Sequence, residues 1–256
     1  MRRPALIYPF ITLTICVWML LASQGSPPTN ALFLAHTRPS PELSLVNVLQ
    51  RTNASTRALK VMAVGGSVAV GWNDATKEGY LGRAMQQVGA TLRIHVDFLN
   101  KSTGGFTPTR LGTTYARYLQ QIQPQVVIIS WGLLDDIADK ISEAQFMSEI
   151  EYEVALAAKQ NCEVWIVTPP VTTATYVGKD AAREPTYAAD EITAARDVKG
   201  AKVVVFDLLD EMKRYLKNHH LSYQPLESNA WHPNTQGHQL AGELLAESII
   251  GRGILP

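Results

Sequence analysis

The sequence predicts an α/β protein, a three-layer sandwich with a mostly parallel five-stranded sheet between helices. Three observations carry this reading. Five short runs of strand length (Leu59–Val64, Leu92–Phe98, Val126–Ile129, Glu163–Val167 and Lys202–Phe206) are spread through the last 200 residues. Stretches with apolar residues at helical spacing lie between them. Val126–Ile129 is wholly apolar, and Leu59–Val64, Glu163–Val167 and Lys202–Phe206 are apolar but for one charged residue each, as expected of strands covered on both faces in a parallel sheet.

Each element has its own signal. Leu59–Val64 ends in Gly65-Gly66, and Leu81, Met85 and Val88 then recur on one helical face. Leu92, Ile94, Val96 and Phe98 alternate, which predicts a second strand followed by a Gly-rich loop. Leu111, Tyr115, Tyr118, Leu119 and Ile122 stripe a helix. Val126–Ile129 runs to Ser130, and Phe146, Ile150, Val154 and Ala157 stripe the next helix. Two further strands follow, and Leu240, Leu244, Leu245 and Ile249 mark the last helix. Ligands of such sheets bind at the carboxyl ends of the strands. The loops after Val64, Leu99, Ser130 and Val167, and the segment before the last helix, are therefore the places to look.

The N-terminal region reads differently. Arg2 and Arg3 precede an uncharged apolar stretch from Ala5 to Ala22, and no Lys or Arg follows until Arg38. That asymmetry places the N-terminus in the cytoplasm and the remainder outside. Residues 1–25 read as a cleaved signal peptide or an uncleaved membrane anchor: the stretch is just long enough to span a bilayer, while Pro9 weakens its start. Residues 26–57, with Pro27, Pro28, Pro39 and Pro41, read as a tether, within which Leu43, Val46 and Leu49 suggest one short amphipathic turn. Residues 58–256 form the functional domain, expected to be a monomer outside the cytoplasm that meets a membrane only through the N-terminal segment.

Composition excludes several classes. The 256 residues carry 23 Lys+Arg and 23 Asp+Glu, so nothing favours nucleic acid electrostatically. The cysteines are Cys16 and Cys162, too few for a disulfide scaffold or a Cys-rich zinc site, and Cys162 opens an apolar run as a buried thiol. His219-His220 is an adjacent pair whose side chains diverge, and no His-Glu-x-x-His spacing occurs, so neither metal nor cofactor is expected. Asp135, Asp136 and Asp139 are explained more simply by helix N-capping than by a metal.

Two loops carry chemistry. Gly65-Gly66-Ser67-Val68-Ala69-Val70-Gly71 puts a serine at a strand tip, where its hydroxyl is exposed and its own N–H can face an oxyanion. No Lys-Ser/Thr follows for a phosphate loop, and Ala69 replaces the second glycine of a Gly-x-Ser-x-Gly elbow. The other loop is Asn229-Ala230-Trp231-His232-Pro233-Asn234-Thr235-Gln236-Gly237-His238, with His232 in a polar setting and His238 read as structural on the following helix.

Taken together, four blocks in order resemble the SGNH (GDSL-type) hydrolases, from about Leu59 to Ile249. The family's Gly-Asp-Ser with a later Gly looks like Gly65-Gly66-Ser67 and Gly71. Its Asn with Gly-x-Thr looks like Asn100 and Gly105-Phe106-Thr107. Its Gly-x-Asn-Asp looks like Gly132-Leu133-Leu134-Asp135, and its Asp-x-x-His-Pro looks like Asn229-Ala230-Trp231-His232-Pro233. The resemblance implies a flavodoxin-like sheet and hydrolysis of acyl esters. Ser67 would be the nucleophile and His232 the base, oriented by Asn229, with the N–H groups of Ser67 and Gly105 as oxyanion donors. Trp72, Trp131 and Trp231, all beside motif positions, are candidates to line the substrate cleft.

Three departures bear on rate. Gly66 stands where the family has an aspartate. Leu134 replaces an asparagine whose amide is an oxyanion donor, a loss of about 2.7–4 kcal/mol in transition-state stabilisation where measured. Asn229 replaces the aspartate that orients the histidine, a change costing about 10⁴ in kcat in a Ser-His-Asp triad. An enzyme with an atypical triad is therefore the primary expectation. The alternative is a catalytically impaired domain that binds a cell-surface glycan or lipid.

Overall fold

The computed structural model describes residues 58–252. The N-terminal apolar stretch, the tether with its amphipathic turn, and Cys16 lie outside them. Among the described residues no helix is long and apolar enough to cross a membrane.

The sheet begins with β1 (Leu59–Gly65), whose last residues turn directly into the one-turn helix α1 (Ser67–Val70). Helix α2 (Gly79–Leu92) leads to β2 (Val96–Asn100), and α3 (Pro108–Leu111) and α4 (Thr113–Ile122) lead to β3 (Val126–Ser130). Helices α5 (Leu134–Ala138) and α6 (Glu143–Lys159) precede β4 (Glu163–Val167). Helices α7 (Thr173–Tyr176) and α8 (Glu184–Asp197) precede β5 (Lys202–Phe206), which is followed by α9 (Leu208–Asn218). A small antiparallel pair, β6 (Glu227–Asn229) and β7 (His232–Pro233), then introduces the closing helix α10 (Thr235–Gly251).

The five long strands are all parallel, in the order β2-β1-β3-β4-β5. The order reverses at β1, so the loops leaving β1 and β3 part and open a crevice at the carboxyl edge. Helices α2 and α10 pack together, as do α6 and α8. Every residue of β3 and β4 is buried, which accounts for the apolar runs Val126–Ile129 and Val164–Val167 within them.

Two predicted boundaries move. Leu92 ends helix α2, and Arg93 in the left-handed region (φ 55°) donates its N–H to Gly89 O, so β2 starts at Val96 and runs on to Asn100. The stripe from Leu111 to Ile122 is interrupted at Gly112 (φ 47°), which divides it into α3 and α4. Cys162 is buried, and its Sγ lies 3.1 Å from Pro124 O.

Gly65 is the tightest point of the frame. A Cβ there would lie 2.0 Å from Ser130 O, so β1 and β3 can pass this closely only with a glycine. That closeness puts the next two residues, Gly66 and Ser67, against the β3 loop.

Candidate active site

Ser67 stands at the first position of α1, at the carboxyl tip of the central strand. The loop after β2 is fastened beside it: Lys101 N–H donates to Ala63 O at 2.8 Å and Thr103 N–H to Gly65 O at 3.0 Å. Asn100 also donates its amide to Ala69 O at 2.7 Å, tying β2 to α1. These bonds carry Gly104 and Gly105 to the serine, since a Cβ on Gly104 would lie 3.8 Å from Ser67 Cβ. Phe106 N–H closes the turn on Thr103 O, and Gly105 takes φ 72°, a conformation open to glycine. Among the described residues, neither Ser67 N–H nor Gly105 N–H is donated to a protein acceptor.

His232 reaches the serine from the β6–β7 pair. Its Nε2 lies 2.8 Å from Ser67 Oγ, and its Nδ1 lies 3.0 Å from Asn229 Oδ1. Which amide atom faces the ring is settled by chemistry. The same atom of Asn229 accepts the backbone N–H groups of Trp231 (2.9 Å) and His232 (3.0 Å), and only the oxygen can accept. An oxygen facing Nδ1 requires a proton on Nδ1, which leaves Nε2 bare to accept from the serine hydroxyl. Half-burial of the ring pushes the His232 pKa below its ordinary value, favouring the neutral form.

Polar bonds that no sequence pattern announced hold this pair in place. Asn73 donates to Ser228 Oγ at 2.8 Å, and Ala75 N–H donates to Thr235 Oγ1 at 2.9 Å, which docks the β6–β7 pair on the loop after α1. Glu227 receives the Thr173 N–H (2.7 Å) and hydroxyl (2.6 Å) from the other side. Asn234 caps α10 by accepting Gly237 N–H and donates to Pro225 O and Glu227 O. His238 is fully buried, bonded to Trp72 O at 3.1 Å and stacked on Tyr80.

The three tryptophans separate. Trp72 is 54% exposed, 6.4 Å between ring centroids from His232, and beside Gly104. Trp231 is partly buried against the core. Trp131 does not line the cleft. It is 1% exposed, and its indole N–H is bonded to the carboxyl of buried Glu153 at 3.0 Å, so it belongs to the core beneath the loop.

The loop after β3 also differs from expectation. Leu134 is buried at the start of α5 and brings no donor. Asp135 and Asp136 stand in the first turn of α5, yet no side chain caps it. Asp135 instead approaches Gly66: a Cβ there would sit 3.4 Å from Asp135 Oδ2 and 3.3 Å from Phe106 O. An aspartate at residue 66 would bring a second carboxylate into that space. Asp136 is buried, and burial first, then the charges of Asp135 and Glu149, push its carboxyl up to about 8. Glu153 also rises to about 8, mainly through burial and then through Glu149 and Asp136, against the lowering effect of the Trp131 bond.

A family model described as the GDSL-like Lipase/Acylhydrolase family matches residues 63–240. No curated protein matches the chain. Among solved structures, an alpha/beta hydrolase enzyme (LAE5) from the metagenome of Lake Arreo, Spain, superposes with a TM-score of 0.63 at 17% identity, over 77% of this chain and 97% of that one. Axe2, an acetylxylan esterase from Geobacillus stearothermophilus, gives 0.61 at 14% identity, over 74% and 93%. The psychrotrophic esterase EstA from Pseudoalteromonas sp., in a structure inhibited by monoethylphosphonate, gives 0.57 at 15% identity, over 75% and 97%.

Proposed function

The chain belongs to the GDSL-like lipase/acylhydrolase family of ester-hydrolysing enzymes, and from that premise we propose that it is an exported serine esterase working through a Ser67–His232–Asn229 relay with an amide in the orienting position. The observation that carries this is the Ser67 Oγ–His232 Nε2 contact of 2.8 Å together with the fixed orientation of the Asn229 oxygen.

In the first step Ser67 Oγ attacks the ester carbonyl while its proton passes to His232 Nε2. The carbonyl oxygen becomes an oxyanion received by the N–H groups of Ser67 and Gly105. His232, now cationic, gives the proton to the leaving alcohol, and an acyl-serine remains. Water then repeats the sequence in the opposite sense, with His232 as base, and releases the acid. Asn229 keeps the imidazole in the useful tautomer throughout but supplies no charge to the imidazolium.

The exposed face of Trp72 beside His232 suits the ring of a carbohydrate alcohol. With the likeness in fold to an acetylxylan esterase, this favours a short acyl group on a sugar. Arg2, Arg3 and the apolar stretch that follows support export, with the N-terminal segment either removed or kept as an anchor. The second reading, a domain that binds glycan or lipid without turnover, draws on the loss of the donor at Leu134 and of the charge at residue 229.

The test is turnover of p-nitrophenyl acetate with labelling by an electrophilic serine probe. The protein as it stands is expected to do both, and Ser67→Ala to do neither. Unchanged hydrolysis in Ser67→Ala contradicts the assignment of the nucleophile. Absence of both in the unmodified protein favours the binding domain.

A further inference from the structure

Arg110, on α3, joins the two loops that flank the serine. Its Nη1 donates to Gly105 O, and its Nη2 pairs with Asp139 at the end of α5 at 2.5 Å. The arginine itself is well founded, because Thr107 is fully buried, accepts Arg110 N–H with its hydroxyl at 3.4 Å and, with Pro108, starts α3. The bonded carbonyl belongs to the glycine whose N–H is undonated among the described residues, in a left-handed turn that Phe106 N–H also closes on Thr103 O at 3.2 Å.

We infer that Arg110 is a positioning residue for the ester reaction, fixing the Gly104–Gly105 turn from its outer side so that the Gly105 N–H is already aimed where the oxyanion forms. The inference rests on the esterase reading above. A guanidinium is suited to this because its rigid fork can bond a carbonyl and a carboxylate at once, which an ammonium does poorly. About half of the Arg110 side chain is exposed, so its charge is screened and its value lies in geometry. Leu134 gives the point weight, because with one oxyanion donor absent the aim of the remaining two matters more. Misplacing a reacting group by about 1 Å can cost 10²-fold.

The experiment uses the full chain with p-nitrophenyl acetate and a p-nitrophenyl phosphonate ester that phosphonylates Ser67 with release of p-nitrophenol, leaving a tetrahedral adduct with an oxygen where the oxyanion forms. Arg110→Ala is expected to lower kcat about tenfold or more with KM within about twofold, and to slow phosphonylation by the same factor. Added guanidinium ion should restore part of the loss. Arg110→Lys should recover only a fraction, and Asp139→Asn, which leaves a neutral acceptor in place of the carboxylate on one side of the fork, should fall between the unmodified protein and Arg110→Ala. An unchanged kcat, an effect on KM alone, or complete rescue by lysine would overturn the inference. Should Arg110→Ala fail to fold, the lysine and Asp139 variants carry the same test. No turnover and no phosphonylation in the unmodified protein would strike the esterase reading instead.

Discussion

On the histidine side of Ser67, an amide oxygen occupies the place of a carboxylate, and three donors converge on it: two backbone N–H groups and the imidazole Nδ1. On the opposite side, the residue in the place of an amide donor is Leu134, a buried apolar side chain, with the acidic residues Asp135 and Asp136 directly after it. Each side departs from the family pattern by one polar group. The histidine side keeps its geometry and loses only charge, whereas the β3 loop loses the donor itself.

The difference changes what the two substitutions should cost. The loss of about 10⁴ in kcat for the asparagine replacement in a Ser-His-Asp triad reflects the wrong histidine tautomer. Here the Trp231 and His232 N–H groups prevent the amide from turning its nitrogen to the ring, so that part of the penalty is not incurred. The Leu134 side chain itself offers no donor.

The comparison breaks most visibly at residue 229. Asn229→Ala removes the acceptor, frees the tautomer and is expected to lower kcat by about 10³–10⁴, measured with p-nitrophenyl acetate. Asn229→Asp keeps all three bonds and adds charge. It should raise the plateau of kcat/KM about tenfold and move the acid limb upward, because a carboxylate favours the imidazolium while the base must be neutral. In the unmodified enzyme, burial of His232 holds that limb below the ordinary histidine value. The two pH profiles should therefore converge as pH falls. A rate gain with no upward shift would mean that the added charge is screened.

Leu134→Asn probes the other side and should raise kcat several-fold with little change in KM, less than a fully placed donor gives because the new amide must also be desolvated. An unchanged kcat in the folded variant would mean that residue 134 does not face the oxyanion.

The smallest effect expected is on stability, beneath the same loop. Asp136 and Glu153 keep their protons up to about 8 in the folded protein but release them near 4 when unfolded. The folded state thus binds more protons between those values, and stability falls as pH rises across that window. Glu153→Gln still offers an acceptor to Trp131 and should raise Tm by a few degrees at pH 8, with no gain at pH 4. Equal Tm values at both pH values would mean that the carboxyl is not buried as described.

The strands β3 and β4 were legible because burial on both faces leaves nothing but apolar residues in Val126–Ile129 and Val164–Val167. The edge strand β2 was legible only in part, since Leu92 fits both the alternation with Ile94, Val96 and Phe98 and the four-residue helical spacing from Val88. The four motif blocks pointed to Ser67, Gly105, Asn229 and His232, and these four lie in the loops that meet at the carboxyl edge. Trp131 misled because adjacency to a motif says nothing about which way a side chain points. Glu153 could have been noticed, as it falls on the buried stripe of α6 between Ile150 and Val154. The docking bonds Asn73–Ser228 and Ala75–Thr235 join residues about 155 and 160 positions apart and follow no periodicity. Arg110 was equally silent, because its partners Gly105 and Asp139 meet only once α3 and α5 are in place.

The central claim is that an amide oxygen holds His232 in the tautomer an esterase needs. Nitrogen NMR of the imidazole in isotope-labelled protein, near neutral pH, tests it directly. The account requires the proton on Nδ1 and a bare, hydroxyl-accepting Nε2, with the Nδ1 proton lost from its bond in Asn229→Ala. A neutral ring protonated on Nε2 in the unmodified protein would contradict it.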